Sequence, residues 1–451
     1  MYSQDTIAAV ATPPGKGGVG IVRVSGSLAA AIGEQVTDKT LLPRQATFCD
    51  FKDQNQELID QGLAIFFVGP ASFTGEDVLE LQGHGGPVVM TLLLNHVISL
   101  GARLARPGEF SERAYLNGKI DLAQAEAVAD LIDSSTQAAA KGALRSLKGE
   151  FSAQVNHIAE EILRLRIFTE AAIDFPEEEI DFLSDAGFQD GVAKLRQQLG
   201  TLLKQSTAGA LLREGLTLVL AGQPNAGKSS LMNRLVGEET SIVTSVPGTT
   251  RDVIRQQISL DGIPLKLVDT AGLRDTEDEI EQEGVRRAKK EVAEADGVLV
   301  LIDAANNRNW QTAANEILAS IPESLDAVVI LNKIDLLDEV LSVPEGYAHP
   351  VVGLSAKTGD GLDLLTSLLK EEFALGLVPE SPFISRSRHT QALKRTDAHV
   401  ERGILELETQ AAGELFAEEL KLAHQALCEI TGEFSSDDLL GEIFSSFCIG
   451  K

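Results

Sequence analysis

Lys228 and Ser229 close the run Gly222-Gln-Pro-Asn-Ala-Gly-Lys-Ser229, whose residue types suit the capture of phosphate. Small residues let backbone N–H groups crowd around an anion, and a helix beginning near Lys228 would add the positive end of its dipole. Lys228 supplies a point charge to β- and γ-phosphate oxygens, and the Ser229 hydroxyl can ligate Mg²⁺. Contacts with a nucleotide are therefore expected from Asn225, Ala226, Gly227, Lys228, Ser229 and Ser230. One such run arises by chance often enough to need support. Four further motifs follow in order: Thr249-Thr250, Asp269-Thr-Ala-Gly272, Asn332-Lys-Ile-Asp335 and Ser355-Ala-Lys357.

Each later motif answers a different part of a nucleotide. Thr250, in Pro247-Gly-Thr-Thr-Arg-Asp252, can join Ser229 on Mg²⁺ when a γ-phosphate is present, and the Gly272 N–H can meet the same phosphate. Two segments then sense one group, the logic of an order-to-disorder switch. Thr244, Ser245, Val246, Pro247, Gly248 and Thr249 are expected along the first segment, and Thr270 and Ala271 along the second. Asp269 would hold the metal through water. The Asp335 carboxylate can accept from guanine N1–H and the 2-amino group, which adenine does not offer, and a buried carboxylate left unpaired discriminates by roughly 10⁴. Asn332 buttresses that pocket, the Ala356 N–H faces guanine O6, and Lys333, Ser355 and Lys357 complete it. The five motifs together read as a guanine-nucleotide switch.

One position departs from the best-known form of such a switch. Leu273 follows Asp269-Thr-Ala-Gly272, where Ras-like enzymes place the glutamine that orients water. Arg274 is a candidate for charge stabilisation, and Asp275, Glu277, Asp278, Glu279, Glu281 and Glu283 are carboxylates that could position water. A solvated acidic loop would also account for them.

These residues need a scaffold, and apolar periodicity supplies its outline. The runs Leu216–Leu220, Leu265–Val268, Val298–Ile302, Val328–Leu331 and Val351–Leu354 alternate with helical patterns, which predicts a parallel sheet flanked by helices over 214–376. Residues 1–118 mix β-like runs, Ile21-Val-Arg-Val24 and Val78-Leu-Glu-Leu81, with Gly and Pro clusters at 13–20, 69–75 and 83–87, and read as an α+β domain. Lys16-Gly-Gly-Val-Gly20 imitates a phosphate loop but continues with Ile21-Val22, so it reads as a turn. Spacings of three and four from Leu144 through Leu147, Phe151, Val155, Ile158 and Ile162 to Leu165 predict one long helix. Val192, Leu195, Leu199, Leu202 and Leu203 predict a second, ending before Arg213-Glu-Gly215. Helical texture returns after 376, with Leu420, Ala423, Leu427 and Ile430 on one face and Leu439, Leu440, Ile443 and Phe447 on another. The α/β domain thus reads as inserted into a helical domain split between 119–213 and 377–451.

Composition bounds the partners. The 39 basic and 67 acidic residues among 451 give a net charge of −28, which opposes non-specific attraction to nucleic acid or anionic lipid. No signal-peptide pattern and no membrane-length apolar run is present, so a cytoplasmic, membrane-free location is expected. Cys49, Cys428 and Cys448 are too dispersed for a disulfide framework or a zinc site.

Several segments together resemble the MnmE (TrmE) tRNA-modification GTPases: Gly222 to Ser229 with Asn225, Pro247 to Asp252, and above all the terminal Phe447-Cys-Ile-Gly-Lys451. Asp5-Thr-Ile7, Ala11-Thr-Pro-Pro-Gly-Lys-Gly-Gly-Val-Gly20, Gly83-His-Gly-Gly86 and Arg106-Pro-Gly-Glu-Phe110 match as well. The resemblance covers essentially the whole chain. It implies an N-terminal domain like folate-binding domains, a discontinuous helical domain and an inserted Ras-like domain. It also implies a K⁺ ion held by Asn225 and the carbonyls of Thr244, Val246 and Thr249, neutralising transition-state charge. Glu281 falls on the family's water-orienting glutamate, and hydrolysis is coupled to the meeting of two nucleotide domains in a homodimer.

The resemblance further implies that Arg23, Glu80, Lys119 and Lys451 contact a 5-formyl-tetrahydrofolate or related one-carbon donor through charge-assisted bonds. Cys448 has the distance from the end of a prenylation box, but Lys451 is outside its usual residues. Its thiol would suit catalysis near the folate, or could be an ordinary buried cysteine. The expected activity is GTP hydrolysis coupled, with an MnmG (GidA)-type FAD protein, to aminomethyl or carboxymethylaminomethyl modification of the wobble uridine of tRNA at carbon 5. A ribosome-assembly GTPase without modification chemistry is the alternative.

Overall fold

The computed structural model describes residues 5–174, 186–238, 255–260, 262–269, 295–322, 325–337, 342–373, 383–410, 412–433 and 437–450. The chain divides into two compact units. The first comprises Met1–Ala129, Phe151–Ile167 and Ala417–Lys451, and the second comprises Asp130–Glu150 and Phe168–Phe416.

In the first unit, strands β1 (Ile7–Val10), β2 (Gly17–Ser25), β3 (Thr47–Lys52), β4 (Leu58–Phe67), β5 (Val78–Gly85) and β6 (Arg103–Leu104) form a sheet of order β3-β4-β5-β2-β1-β6. All neighbours are antiparallel except β1 and β6. Alternation sends Val22, Val24, Leu79, Leu81, Ala64 and Phe66 to one face, where Ile32 and Val36 of α1 (Ala29–Thr37) and Leu93 and Val97 of α2 (Pro87–Ser99) complete the core. A smaller cluster gathers Leu122 and Ala125 of α4 (Leu122–Asp133) with Ile443, Phe444 and Phe447. Helix α3 (Glu109–Leu116) precedes α4 in the chain.

The glycine clusters at 13–20 and 83–87 do not simply mark turns, because Gly17 to Gly20 lie in β2 and Gly83 to Gly85 in β5. Close packing is the reason. A Cβ at Gly20 would lie 2.4 Å from Met90 Sδ, one at Gly83 2.4 Å from Asp60 Oδ2, and one at Gly85 2.6 Å from the Val19 carbonyl.

The predicted long helix is two. Helix α5 (Gln137–Leu147) ends before Gly149, whose φ of 86° only glycine adopts readily, and α6 (Glu150–Asp174) begins afresh. Leu144, assigned to the common apolar face, is exposed. The second predicted helix is α7 (Ala186–Glu214), with Val192, Leu195, Leu199 and Leu202 buried.

The second unit holds a six-stranded sheet of β7 (Leu216–Gly222), β8 (Arg255–Leu260), β9 (Ile263–Asp269), β10 (Gly297–Asp303), β11 (Asp326–Asn332) and β12 (Val351–Leu354), in the order β12-β11-β10-β7-β9-β8. Five strands are parallel, as expected from their near-continuous apolar runs. The edge strand β8 was not foreseen and runs antiparallel to β9. Its Arg-Gln-Gln start lacks the apolar run that marked the others. Alternate residues feed two layers. Leu218, Leu220, Leu299 and Leu301 face α8 (Lys228–Glu238) and α10 (Leu362–Glu372), whereas Val219, Val298 and Val300 face α9 (Trp310–Leu318). The return segment leads into α11 (Ser387–Gln410), which packs on α7. Two further helices, α12 (Gly413–Cys428) and α13 (Asp437–Ser445), end the chain.

Candidate functional site

The carboxyl ends of the parallel strands carry residues to which the sequence assigns a nucleotide, the edge at which open α/β sheets bind ligands. Strand β7 ends at Gly222, β9 at Asp269, β10 at Asp303 and β11 at Asn332, and the register sets Leu220 opposite Asp269 and Asp303 opposite Asn332. From Gly222 the chain turns through Asn225 (φ 63°) and Gly227 (φ 102°) into α8, which starts at Lys228 as expected. The Lys228 ammonium donates to the Gly222 carbonyl at 2.9 Å and the Gln223 carbonyl at 3.3 Å, so it lies across the mouth of the loop. Asn225, Ser229 and Ser230 are exposed around it, and Ala226 is buried beneath.

Asn332 holds two loops together. Its Nδ2 donates to the Ala226 carbonyl at 2.7 Å, while its Oδ1 accepts the Ala356 N–H at 3.0 Å. The residue is 2% exposed, so the amide is committed to these partners. A Cβ at Gly227 would lie 2.2 Å from that same Nδ2, which is why glycine stands there. Asp335 accepts from Ser355 Oγ at 2.7 Å, and Ser355 is itself buried. The Asp335 side chain is itself exposed.

Asp303, Asn306, Arg234 and Thr358 at this edge were not singled out from sequence. Asp303 meets the Lys333 ammonium at 2.5 Å and accepts from Asn306 Nδ2 at 2.9 Å. Burial pushes its carboxyl upward, but the Lys333 ammonium and the Asn306 amides hold it below the usual carboxylate range. Arg234 of α8 donates to the Thr358 carbonyl at 2.9 Å, tying the helix to the Ser355–Asp360 loop. The position of Asp303 at a strand end was the available signal, whereas Arg234 gave none.

Lys357 is exposed beside Ala356. Thr244, Ser245, Val246, Pro247, Gly248, Thr249, Thr250, Thr270, Ala271, Gly272, Glu281 and Lys451 lie outside the described residues. Asp269 is placed as the last residue of β9.

The first unit pairs two of the four charges assigned to a one-carbon donor, Arg23 and Glu80. Arg23 and Glu80 are register partners on β2 and β5, with Arg23 Nε 3.1 Å from Glu80 Oε1. Gln82 Nε2 holds the other Glu80 oxygen at 3.3 Å. The guanidinium lies 5.9 Å from the Phe73 ring centroid and 5.7 Å from that of Phe110, an aromatic shelf not foreseen from sequence. The C-terminal segment reaches the same place. Ile449 bridges Pro107, the Gly108 N–H points at the Cys448 carbonyl at 3.4 Å, and Arg23 donates to the Gly450 carbonyl at 3.4 Å. Cys448 is an exposed free thiol, and Lys119 is exposed beyond α3 with its stem beside Gly75.

The family model for the MnmE helical domain matches residues 122–448, and that for the GTP-binding protein TrmE N-terminus matches 6–119. The chain belongs to the MnmE (TrmE) family. As an MnmE-family member it is a tRNA-modification GTPase, with GTP and Mg²⁺ as its nucleotide-site ligands. Among solved structures, the G domain of the T. maritima FeoB iron transporter is 26% identical over 35% of this chain and 98% of its own, with a TM-score of 0.28. Era in complex with MgGDPNP and a stretch of 16S ribosomal RNA is 28% identical over 35% of this chain and 56% of its own, also with a TM-score of 0.28. This MnmE-family chain therefore matches about half of that Era structure. An Aquifex aeolicus Era variant bound to GDP.AlF4- is 25% identical over 41% of this chain and 66% of its own, at a TM-score of 0.28. Among the described residues no helix is long and apolar enough to cross a membrane.

Proposed function

We propose that the chain is a potassium-stimulated GTPase, activated by dimerisation. With an MnmG (GidA)-type FAD protein it modifies carbon 5 of the wobble uridine of tRNA, using a tetrahydrofolate one-carbon donor. The observation that carries the nucleotide half is the Asn332 bridge, which joins a phosphate-loop carbonyl to the Ala356 N–H and so sets both ends of one nucleotide site. Lys228 and the α8 N-terminus take the β- and γ-phosphates, and Asp335, fixed by Ser355, reads the guanine edge. Bound Mg²⁺, held by Ser229 and Thr250, would neutralise phosphate charge. Asn225, in left-handed backbone, with the carbonyls of Thr244, Val246 and Thr249, is the place for K⁺, and Glu281 orients water.

The folate half is supported by a cation, a carboxylate and aromatic faces in one place, a set that fits a flat pterin and its carboxylate tail. Arg23 and Glu80 would hold that donor, joined by Lys119 and Lys451, with the Cys448 thiol beside them. A homodimer is supported by the sheet face opposite the core, where Phe48 and Leu63 are cross-strand partners and both exposed. The segments 1–118, 119–213, 214–376 and 377–451 are the domain limits we assign, and the cytoplasm the compartment.

Nucleoside analysis of tRNA from cells lacking the protein should show wobble uridines without the carbon-5 group, and unchanged uridines would refute the modification role. GTP turnover should be several-fold faster in potassium than in sodium chloride at equal ionic strength. Equal rates would remove the K⁺ assignment. Arg23→Ala should weaken 5-formyl-tetrahydrofolate binding at least tenfold without altering GTP turnover, and unchanged folate affinity would refute that site.

A further inference from the structure

The antiparallel pair β8–β9 joins the two motifs assigned to the γ-phosphate. Strand β8 opens five residues after Thr250, and β9 closes on Asp269, the first residue of Asp269-Thr-Ala-Gly272. Six cross-strand pairs, from Arg255↔Val268 to Leu260↔Ile263, make a stiff element about 20 Å long.

The far end of this hairpin rests on the helices. Gly262, at φ 88°, comes so near α5 that a Cβ there would lie 3.0 Å from the Ala138 Cβ. At the α7–β7 junction, a Cβ at Gly215 would lie 2.4 Å from the Pro264 carbonyl oxygen. Ile258, Leu260 and Ile263 share one buried cluster with Ala139 of α5 and Leu212 of α7. Packing of that density transmits displacement and does not absorb it.

The helices are pinned by charge beside that contact. Asp130, at the end of α4, has a side chain only 5% exposed. It accepts from Arg213 Nε at 2.8 Å and from Arg386 at 2.8 and 3.3 Å. Arg213 stands three residues before β7 and Arg386 one residue before α11, so one carboxylate ties the strands of chain that enter and leave the nucleotide sheet. Ser387 Oγ adds a second tie to Glu214 at 3.0 and 3.1 Å. A cleft of about 210 Å³ opens next to the clasp and is bordered by Lys266 of β9, which leaves the hairpin room to shift.

We propose that the β8–β9 hairpin is a lever that carries the nucleotide state from the Thr250 and Asp269 end to Gly262 and Ala138, where α5 reads it against the fixed Asp130 clasp. The inference rests on the GTPase reading, and it makes α5 a helix remote from the phosphates that feels hydrolysis. Coupling is reciprocal, so loosening the clasp must also change nucleotide preference.

Amide hydrogen exchange on the full-length protein tests this. With GDP or a non-hydrolysable GTP analogue bound, exchange over residues 137–147 should differ several-fold. Ala138→Gly, which removes the touching methyl, should erase the difference even if it raises exchange overall. Asp130→Asn should shift the ratio of GTP-analogue to GDP affinity by roughly five- to tenfold. Identical α5 exchange in the two nucleotides in a chain that binds both would overturn the lever alone, as would a full difference retained in Ala138→Gly. A wild-type chain that binds neither nucleotide would sink both this inference and the GTPase reading beneath it.

Discussion

On the proposed reading of Asp335, the choice of nucleotide comes down to which atoms accept. The carboxylate is exposed, and Ser355 Oγ fixes one of its oxygens at 2.7 Å, so the group is oriented before a base arrives. Asp335→Asn places an N–H₂ where guanine presents its own donor, and a xanthine base, with a carbonyl at that position, becomes the better partner. GTP turnover should fall roughly 100-fold and xanthosine triphosphate should be accepted in its place. Competition kinetics with the two nucleotides would settle it, and undiminished GTP preference would remove Asp335 from the base site. The sequence singles out this residue because its motif is four residues long and local. Asp303 and Arg234 were not, since Asp303 meets Lys333 across 30 positions and Arg234 meets Thr358 across 124. Those contacts exist only once the parallel strands have brought their carboxyl ends to one edge.

Helix α3 is anchored by its first residue. Glu109 is 2% exposed, yet it accepts from Arg103 at 2.5 and 2.8 Å, from the Arg106 N–H at 2.8 Å and from Arg113 at 3.2 Å. Burial alone would raise its carboxyl, but the two guanidinium groups and the Arg106 amide hold it below the usual range. The folded chain therefore binds that proton less readily than the unfolded one. The contribution is complete above the ordinary glutamate value of about 4.3 and is lost as pH falls through the lower folded value. Glu109→Gln should cost about 3 kcal/mol at neutral pH, and its deficit against wild type should shrink in acid. Unfolding midpoints of the two proteins from pH 3 to 7 test this, and a deficit that does not change with pH would refute the ionic account. The parallel strands of the second unit were readable from their apolar runs, because burial on both faces leaves no alternation to misread. Element ends were less so. Leu144 and Leu147 keep the spacing of α6, but Gly149 at φ 86° breaks the helix, and periodicity carries no record of a backbone angle.

Charge is a property of the whole chain, and at −28 it argues about partners more firmly than any single side chain does. Among the described residues, several guanidinium and ammonium groups are committed to carboxylates: Arg103 and Arg113 to Glu109, Arg213 and Arg386 to Asp130, Lys333 to Asp303. A tRNA approaching this surface meets repulsion at long range, which screening weakens. The chain alone should therefore bind tRNA feebly near physiological salt, and its affinity should change little with salt concentration. Proteins that neutralise several phosphates lose affinity steeply as salt rises, with a slope of roughly 0.7 to 0.9 per contact on logarithmic axes. On the proposal that a flavoprotein partner supplies the cationic surface, that steep slope should emerge only when that protein is added. Fluorescence anisotropy with labelled tRNA between low and high potassium chloride, with and without the partner, distinguishes the cases. A steep slope for the chain alone would place the phosphate contacts here and require a local basic surface that net charge conceals.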